Sequence, residues 1–268
     1  VVNLAPRWIA ARRFWGAVAL GAGVVLAFGT VDSAHAGQHD DDTALGRNVY
    51  DDLKAKHQIV EDSRYLPVLR SVGARVSAAA QPHWFTERFY VVRGNDVNAF
   101  SAPGGYVFVN EGLLRTVDDA NELANVLGHE TAHLVLGHVQ AKLQQQKRKK
   151  FLSNIGKMFA SKGSQGAQNS FDVATKVGNY SFLNFTRQQE FSADELGAKL
   201  AAKAGYNPWG TVWFFEQLQR LVGDAGYEQY VQQHPSTADR VAKIGSFLRG
   251  SPAYARWKNR QPATSGLS

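Results

Sequence analysis

The chain of 268 residues contains no cysteine. This absence excludes a disulfide framework and a lipid-modified cysteine. The chain also lacks an internal repeat of the kind that builds solenoids. Its length is that of one domain and is ample for a hydrophobic core.

What the chain does contain is the pattern His129-Glu130-Thr131-Ala132-His133. If residues 121–138 form a helix, residues four apart share a face and lie about 6 Å apart along the axis. The two imidazoles can then reach one metal ion at about 2.0–2.1 Å. Glu130 points about 100° away, where it misses the metal but reaches a water beside it. This is the H-E-x-x-H arrangement of zinc metalloproteases.

A short pattern of this kind also arises by chance, and paired histidines on a helix are often ordinary surface residues. Here, however, the flanking residues are apolar: Leu123, Val126, Leu127, Leu134, Val135 and Leu136. A buried polar cluster without partners is costly, and a metal ion would be such a partner. The flanks therefore favour a zinc site.

A catalytic zinc site needs a third protein ligand. His138 lies five residues after His133, about 140° around a continuous helix, which excludes it on geometry. The metzincin spacing is absent as well, because Val139 stands where that pattern requires a histidine.

The better candidate is Glu190, which shares a helical face with Asp194 four residues later. Like charges at this spacing repel each other, and a facing cation, helped by Arg187, would turn the repulsion into attraction. We predict Glu190 as the third ligand and Asp194 as a carboxylate that orients a ligand histidine. The alternative is a solvated acidic face, which the H-E-x-x-H pattern disfavours.

Four stretches, taken together and in order, resemble the M48 peptidases. They are Val97–Val109 followed by Glu111–Leu114, Gly128–His133, Arg187–Asp194, and His234–Ser236 with Arg240–Val241. The resemblance extends from about Leu45 to Leu248. It implies an α+β fold: a mostly helical, zincin-like (gluzincin) metalloprotease domain with a small β-sheet beside the active-site helix.

The resemblance also implies one Zn²⁺ per chain, with His129, His133 and Glu190 as its ligands and Glu130 as the catalytic base. Ser192 is a departure, since many relatives have a second glutamate there. We expect this difference to change the local charge and not the metal site.

The same resemblance brings His234 near the active site. There it would stabilise the oxyanion, or block the metal, or only pack a loop. Arg240 is a second candidate donor that more readily pairs with a carboxylate. The hairpin residues Asn98, Ala99, Phe100, Gly105 and Tyr106 are implied to bind substrate, as an extended peptide adds a strand to the sheet. An ordinary core hairpin is the alternative.

Hydrophobic periodicity predicts helices over residues 45–57 and 64–80 and a strand over residues 89–92. Strands at 97–101 and 106–110 flank the turn Pro103-Gly104-Gly105. A helix follows Asn207-Pro208, and the last helix starts at Ser236, with Asp239 completing a capping box. We place the peptidase domain at residues 37–250 and a flexible tail at residues 251–268.

The first 36 residues have the layout of a secretory signal peptide. Arginines precede an apolar run from Phe14 to Val31, and Ala34-His35-Ala36 supplies small residues for cleavage. This predicts a periplasmic protein. Because the run is about long enough to span a bilayer, an uncleaved inner-membrane anchor is the alternative.

Residues 140–189 are rich in lysine and arginine, including Lys147–Lys150. This segment is either a membrane-surface patch or lid, or a helical arm with a solvated basic face. A nucleic-acid partner is not expected for an exported protein.

These features predict a zinc-dependent endopeptidase that hydrolyses unfolded or misfolded envelope proteins. A zinc-stabilised chaperone or scaffold that does not cleave them is the alternative. Glu130 argues against that alternative, because a purely structural zinc ion would not need this carboxylate.

Overall fold

The computed structural model describes residues 26–146, 185–221, 230, 234, 237–257 and 267. The chain divides into two compact units, residues 1–38 and 39–268. Within the first unit, the described residues 26–38 are helical. The predicted signal peptide therefore lies mostly outside the described residues, as do Lys147–Lys150 and Ser236.

The described part of the chain is mostly helical, with one three-stranded sheet, which confirms the predicted α+β class. The helices are α1 (Leu26–Ala55), α2 (Leu66–Ala80), α3 (Glu111–Thr116), α4 (Ala120–Val135), α5 (Arg187–Lys203), α6 (Gly210–Arg220), α7 (Thr237–Gly250) and α8 (Pro252–Ala255). The strands are β1 (Arg88–Val92), β2 (Ala99–Ala102) and β3 (Tyr106–Asn110). Among the described residues, no helix combines the length and the apolar character needed to cross a bilayer.

The sheet has the order β1-β3-β2, so β3 is its central strand. β1 runs parallel to β3, and β2 runs antiparallel to it with Ala99 opposite Val109 and Ala102 opposite Tyr106. The turn between β2 and β3 contains Gly104 and Gly105, whose φ angles of 75° and 87° favour glycine. The predicted strand and hairpin are therefore present, with boundaries shifted by one or two residues.

All five residues of β3 are buried, because both faces of the sheet are covered. Val107 and Val109 belong to the main hydrophobic core, together with residues of α2 and α4. Tyr106 and Phe108 point to the other face and form a second cluster with Val49 and Leu53 of α1. The alternation of side chains along a strand explains this division.

Helix α4 begins at a well-defined cap, since the Asp119 carboxylate accepts hydrogen bonds from the backbone N–H groups of Asn121 and Glu122. It ends at Val135, earlier than the predicted 138. The cause is Gly137, whose φ of 69° is a left-handed conformation that terminates helices. The chain then resumes as a separate helical stretch over residues 138–146.

Helices α4 and α5 cross at two glycines. A Cβ atom on Gly128 would lie 2.6 Å from the carbonyl oxygen of Gly197, and one on Gly197 would lie 2.7 Å from the backbone nitrogen of His129. Only glycine permits backbones to approach so closely. This crossing brings the H-E-x-x-H face of α4 against the acidic face of α5.

The start of the predicted flexible tail is ordered. Residues 252–255 form α8, and Tyr254 and Trp257 pack against the main core. Two backbone carbonyls anchor this segment, because Tyr254 O accepts from the Trp209 indole and Trp257 O from the Asn207 amide. The tail prediction is therefore wrong for residues 251–257.

Candidate metal centre

Four buried side chains converge where α4 and α5 cross: His129, His133, Glu190 and His234. Each offers one nitrogen or oxygen atom, and these atoms all lie within 4.8 Å of one another. The H-E-x-x-H spacing supplies two of them from one face of α4, as the sequence predicts. Glu190, in the first turn of α5, supplies the carboxylate.

The distances between these atoms fit a single small cation. The Nε2 atoms of His129 and His133 are 3.0 Å apart. Glu190 Oε2 is 3.6 Å from His129 Nε2, and Glu190 Oε1 is 3.5 Å from His133 Nε2. Ligands at about 2.0–2.1 Å around a tetrahedral zinc ion are roughly 3.3 Å apart. The donor set of imidazoles and one carboxylate also suits zinc.

The electrostatics keep these groups in the forms that bind metal. Burial lowers the pKa of His133 to about 3, so this imidazole is neutral at pH 7. Burial alone would raise the pKa of Glu190, but the charges of His234 and Arg240 hold it well below its ordinary value. A neutral imidazole and an ionised carboxylate are the forms that ligate zinc.

Asp194 lies behind His129, as predicted. Its Oδ1 is 3.0 Å from His129 Nδ1, so a proton on Nδ1 leaves Nε2 free to face the metal position. Arg240 of α7 holds this carboxylate in a bidentate pair, with Nε and Nη2 each 2.7 Å from an Asp194 oxygen. Arg240 Nη1 also reaches Glu190 Oε2 at 2.8 Å. One buried guanidinium therefore orients two acidic residues, as the pairing predicted for Arg240 requires.

Arg187 does not take part in this network, and its predicted role is wrong. Its side chain is 71% exposed and lies 3.7 Å from Asp239. A capping box between Thr186 and Gln189 fixes the first turn of α5, with Glu190 directed inward and Arg187 toward solvent. Arg240, from a distant part of the sequence, supplies the cation that Arg187 was expected to supply.

His138 stands outside the group of four donors, but the helical-wheel reason for excluding it is wrong because α4 ends before it. Its Nδ1 lies 3.1 Å from His133 Nδ1, so one ring donates to the other. Phe185 stacks on the His133 ring, with ring centroids 3.8 Å apart. Neither contact is predicted from the sequence. Gly137, a typical helix-ending residue, is the signal that would have revealed the turn.

Glu130 is buried next to the donor group, and burial raises its pKa despite the charges of His234 and His129. His234 Nε2 lies 3.8 Å from Glu130 Oε1, while its Nδ1 lies 3.2 Å from Glu190 Oε2. Tyr230 stacks on the His234 ring at 4.9 Å, a contact that the sequence did not reveal.

The five predicted substrate-binding residues divide into two groups. Ala99 lines a small cavity together with His129 and Glu130. Asn98 is buried beside it, and its carbonyl accepts a bond from Asn110 N–H. Phe100 stacks on Phe108, on the face of the sheet away from α4.

Gly105 and Tyr106 are not brought to the site. The Tyr106 ring is buried in the second cluster, and a Cβ on Gly105 would meet the Thr86 carbonyl oxygen. Because they follow the turn at the far end of β2, their predicted role in substrate binding is not supported.

Comparisons with known proteins agree with this geometry. The model of peptidase family M48 matches residues 67–247. Over 198 residues the chain is 24% identical to the beta-barrel assembly-enhancing protease of Escherichia coli (strain K12), covering 71% of this chain and 40% of that protein. Over 205 residues it is 31% identical to the human mitochondrial metalloendopeptidase OMA1, covering 70% of this chain and 38% of that protein.

The chain thus spans about two fifths of the length of the curated relatives it matches. The family match covers more than half of the chain and includes all four donor residues, Glu130, Asp194 and Arg240. The chain therefore belongs to peptidase family M48, as its motifs predicted, and residues 67–247 form a metallopeptidase domain.

Proposed function

We propose that this protein is a zinc-dependent endopeptidase of the bacterial periplasm that hydrolyses unfolded or misfolded envelope proteins. The observation that carries the proposal is the donor group of His129, His133 and Glu190 with a buried carboxylate, Glu130, beside it. A zinc ion with a purely structural role would not need that carboxylate.

A bound zinc ion supplies Lewis acidity, which makes water more acidic and a carbonyl more electrophilic. Glu130 accepts the proton of the attacking water as a general base and then donates it to the leaving amine nitrogen. Its raised pKa suits this exchange, because a carboxylate that binds a proton more tightly is a stronger base. Asp194 and Arg240 hold His129 and Glu190 in position throughout.

The substrate is proposed to bind as an extended strand at the free edge of β2. Within the described residues, β2 pairs only with β3, so its outer edge has unpaired backbone groups. Ala99 of β2 lines the same small cavity as Glu130, so this strand lies next to the base. Backbone pairing is permissive in sequence but requires an unfolded chain, which fits quality control.

The proposed periplasmic location rests on the export features of residues 1–36 and on the similarity to the beta-barrel assembly-enhancing protease of Escherichia coli. An uncleaved inner-membrane anchor and a surface contact through Lys147–Lys150 are alternatives for the location. Cell fractionation followed by N-terminal sequencing separates these cases, since a mature N-terminus at Gly37 in the soluble periplasmic fraction would support cleavage.

The test of the function separates the base from the ligands. Glu130→Gln should retain about one zinc ion per chain while casein hydrolysis falls by orders of magnitude, because the base is lost and the ligands are not. His133→Ala and Glu190→Gln should weaken zinc binding itself. Metal content by atomic absorption and casein cleavage, with and without a chelator, measure the two effects.

A Glu130→Gln variant that lost its zinc, or that remained active, would contradict these roles. A wild-type protein that binds unfolded casein and zinc but never cleaves would favour the chaperone or scaffold function.

A further inference from the structure

A small, partly enclosed cavity lies beside Glu130 and His129. Its apolar walls come from Ala99 of β2, Val126 of α4, and Phe214 and Phe215 of α6. The cavity has a volume of about 20 Å³. This is room for about one water molecule, and therefore for a group the size of a methyl.

Four polar side chains in the wall, those of Asn125, Thr211, Asp194 and Arg240, are already engaged with other protein groups. Asn125 donates to two backbone carbonyls, and its Oδ1 accepts from the Thr211 hydroxyl at 2.8 Å. Asp194 and Arg240 form their bidentate pair. A charged side chain entering so small a cavity would lose its hydration, which is unfavourable.

The walls are also rigid. Phe214 and Phe215 are almost fully buried, Arg240 lies over the Phe215 ring at 4.8 Å, and Tyr230 packs edge-on against Phe214. Close-packed aromatic walls of this kind do not yield to an additional methylene without displacing their neighbours. The cavity therefore limits size as well as charge.

The position of the cavity relates it to the cleaved bond. In a peptide paired with the outer edge of β2, alternate side chains point toward α4. With the reacting carbonyl beside Glu130, one of the two residues flanking that bond directs its side chain at Ala99 and Val126. Resting on the proposed function, we propose that this cavity is a specificity subsite that restricts this flanking residue to glycine, alanine or serine.

The test is a comparison of cleavage sites. Unfolded casein digested by the zinc-loaded wild type, and analysed by mass spectrometry, should show small residues at one flanking position. Synthetic peptides with alanine there should be cleaved at least about 10-fold faster than peptides with leucine or phenylalanine, the scale of discrimination that a tight pocket gives.

Two variants should move the preference in opposite directions. Val126→Ala enlarges the cavity and should raise the relative rate for valine or leucine peptides. Ala99→Val fills it and should shift the preference from alanine to glycine. Val72→Ala on α2 is the matched control, because Val72 is equally apolar and buried but does not line the cavity.

Binding of the same peptides to Glu130→Gln, followed by fluorescence anisotropy, gives a readout without turnover. Zinc-dependent cleavage with large residues equally frequent at both flanking positions would overturn this inference and leave the proposed function intact. An unchanged profile in both Val126→Ala and Ala99→Val would overturn it as well. Absence of any zinc-dependent cleavage would overturn the proposed function and this inference together.

Discussion

Glu122 is a second buried carboxylate on α4, two turns before His129, and it lies outside the donor group. Burial raises its pKa to about 7, and the charges of Asp118 and Asp119 act in the same direction. The Gln217 amide donates to both of its oxygens, and the Asp118 N–H donates to Oε2, which limits the rise.

A carboxyl group whose pKa is raised by folding stabilises the folded state only while it is protonated. Its contribution to the free energy of unfolding therefore falls as the pH rises. For Glu122 the full effect is present below about 4.5, and it is lost as the pH passes through about 7. Relative to Glu122→Gln, the wild type should therefore lose on the order of 3 kcal/mol of unfolding free energy between pH 5 and pH 8.

Urea unfolding at constant free zinc measures this difference. Glu216→Gln, a change at an exposed residue of the same helix as Gln217, gives the background trend. A constant difference between wild type and Glu122→Gln across this range would refute a raised pKa.

His234 is the residue whose role the sequence left most open. Its Nδ1 lies 3.3 Å from His129 Nε2 and 3.2 Å from Glu190 Oε2, so it takes a place among the donors. A fourth protein ligand closes the position that a catalytic zinc site keeps open. We therefore expect His234→Ala to raise basal casein cleavage several-fold with zinc content unchanged.

The double variant Glu130→Gln with His234→Ala is the control and should be inactive, which would assign the increased cleavage to the same site. Lower turnover of His234→Ala with intact zinc would instead indicate oxyanion stabilisation by His234. An unchanged rate with a lower melting temperature would leave only a packing role.

At the scale of elements, β2 and its register decide how a substrate can bind. Asn98 and Asn110 form a hydrogen-bonded pair, so the pairs alternate and Phe100 and Ala102 also direct their N–H groups to β3. The N–H groups of Ala99 and Ser101 then point to the free edge. The two alanines of this strand therefore differ in the direction of their backbone N–H groups: that of Ala99 points to the free edge and that of Ala102 points to β3.

Proline substitution separates these two alanines. Ala99→Pro removes an outward N–H and should reduce casein hydrolysis about tenfold with little change in melting temperature. Ala102→Pro removes an N–H that faces β3 and should lower the melting temperature by several degrees. Casein hydrolysis and thermal unfolding of both variants measure the contrast, and equal losses of stability would indicate an ordinary core hairpin.

Elements with a strong local signal could be predicted from the sequence. The hairpin turn is visible in Pro103-Gly104-Gly105, and the pair on α4 is visible in the spacing of His129 and His133. The sequence predicts the end of α4 too late, because apolar residues continue through Leu136 and outweigh the single glycine that stops the helix. Local periodicity does not report where a backbone adopts a left-handed conformation.

At the scale of the whole molecule, the limits of prediction are contacts between distant segments. Arg240 lies 46 residues after Asp194 and 111 after His129, yet it is fully buried against both. No helical spacing connects such residues, so sequence patterns favour the nearby Arg187 in its place. The glycine pair that lets α4 and α5 cross is equally invisible until both helices are placed together.

Because the donors come from separate parts of the chain, a bound metal ion should stabilise the whole fold. A ligand that binds only the folded state adds about 4 kcal/mol when its free concentration is 1,000 times its dissociation constant. For a domain of this size, 1 kcal/mol corresponds to about 2–4 °C in melting temperature. We therefore expect chelation to lower the melting temperature by roughly 10 °C, and added zinc to restore it.

The difference in melting temperature between zinc and chelator is the quantity to compare among variants. The melting temperature alone is not suitable, because a change at a buried residue also alters packing. Glu130→Gln should keep the full shift, because its carboxylate lies beside the donors and does not belong to them. His133→Ala should lose most of it, because His133 supplies one of the two nitrogens that lie 3.0 Å apart on α4. Differential scanning calorimetry in zinc and in chelator measures all three proteins, and a full shift in His133→Ala would place the metal elsewhere in the chain.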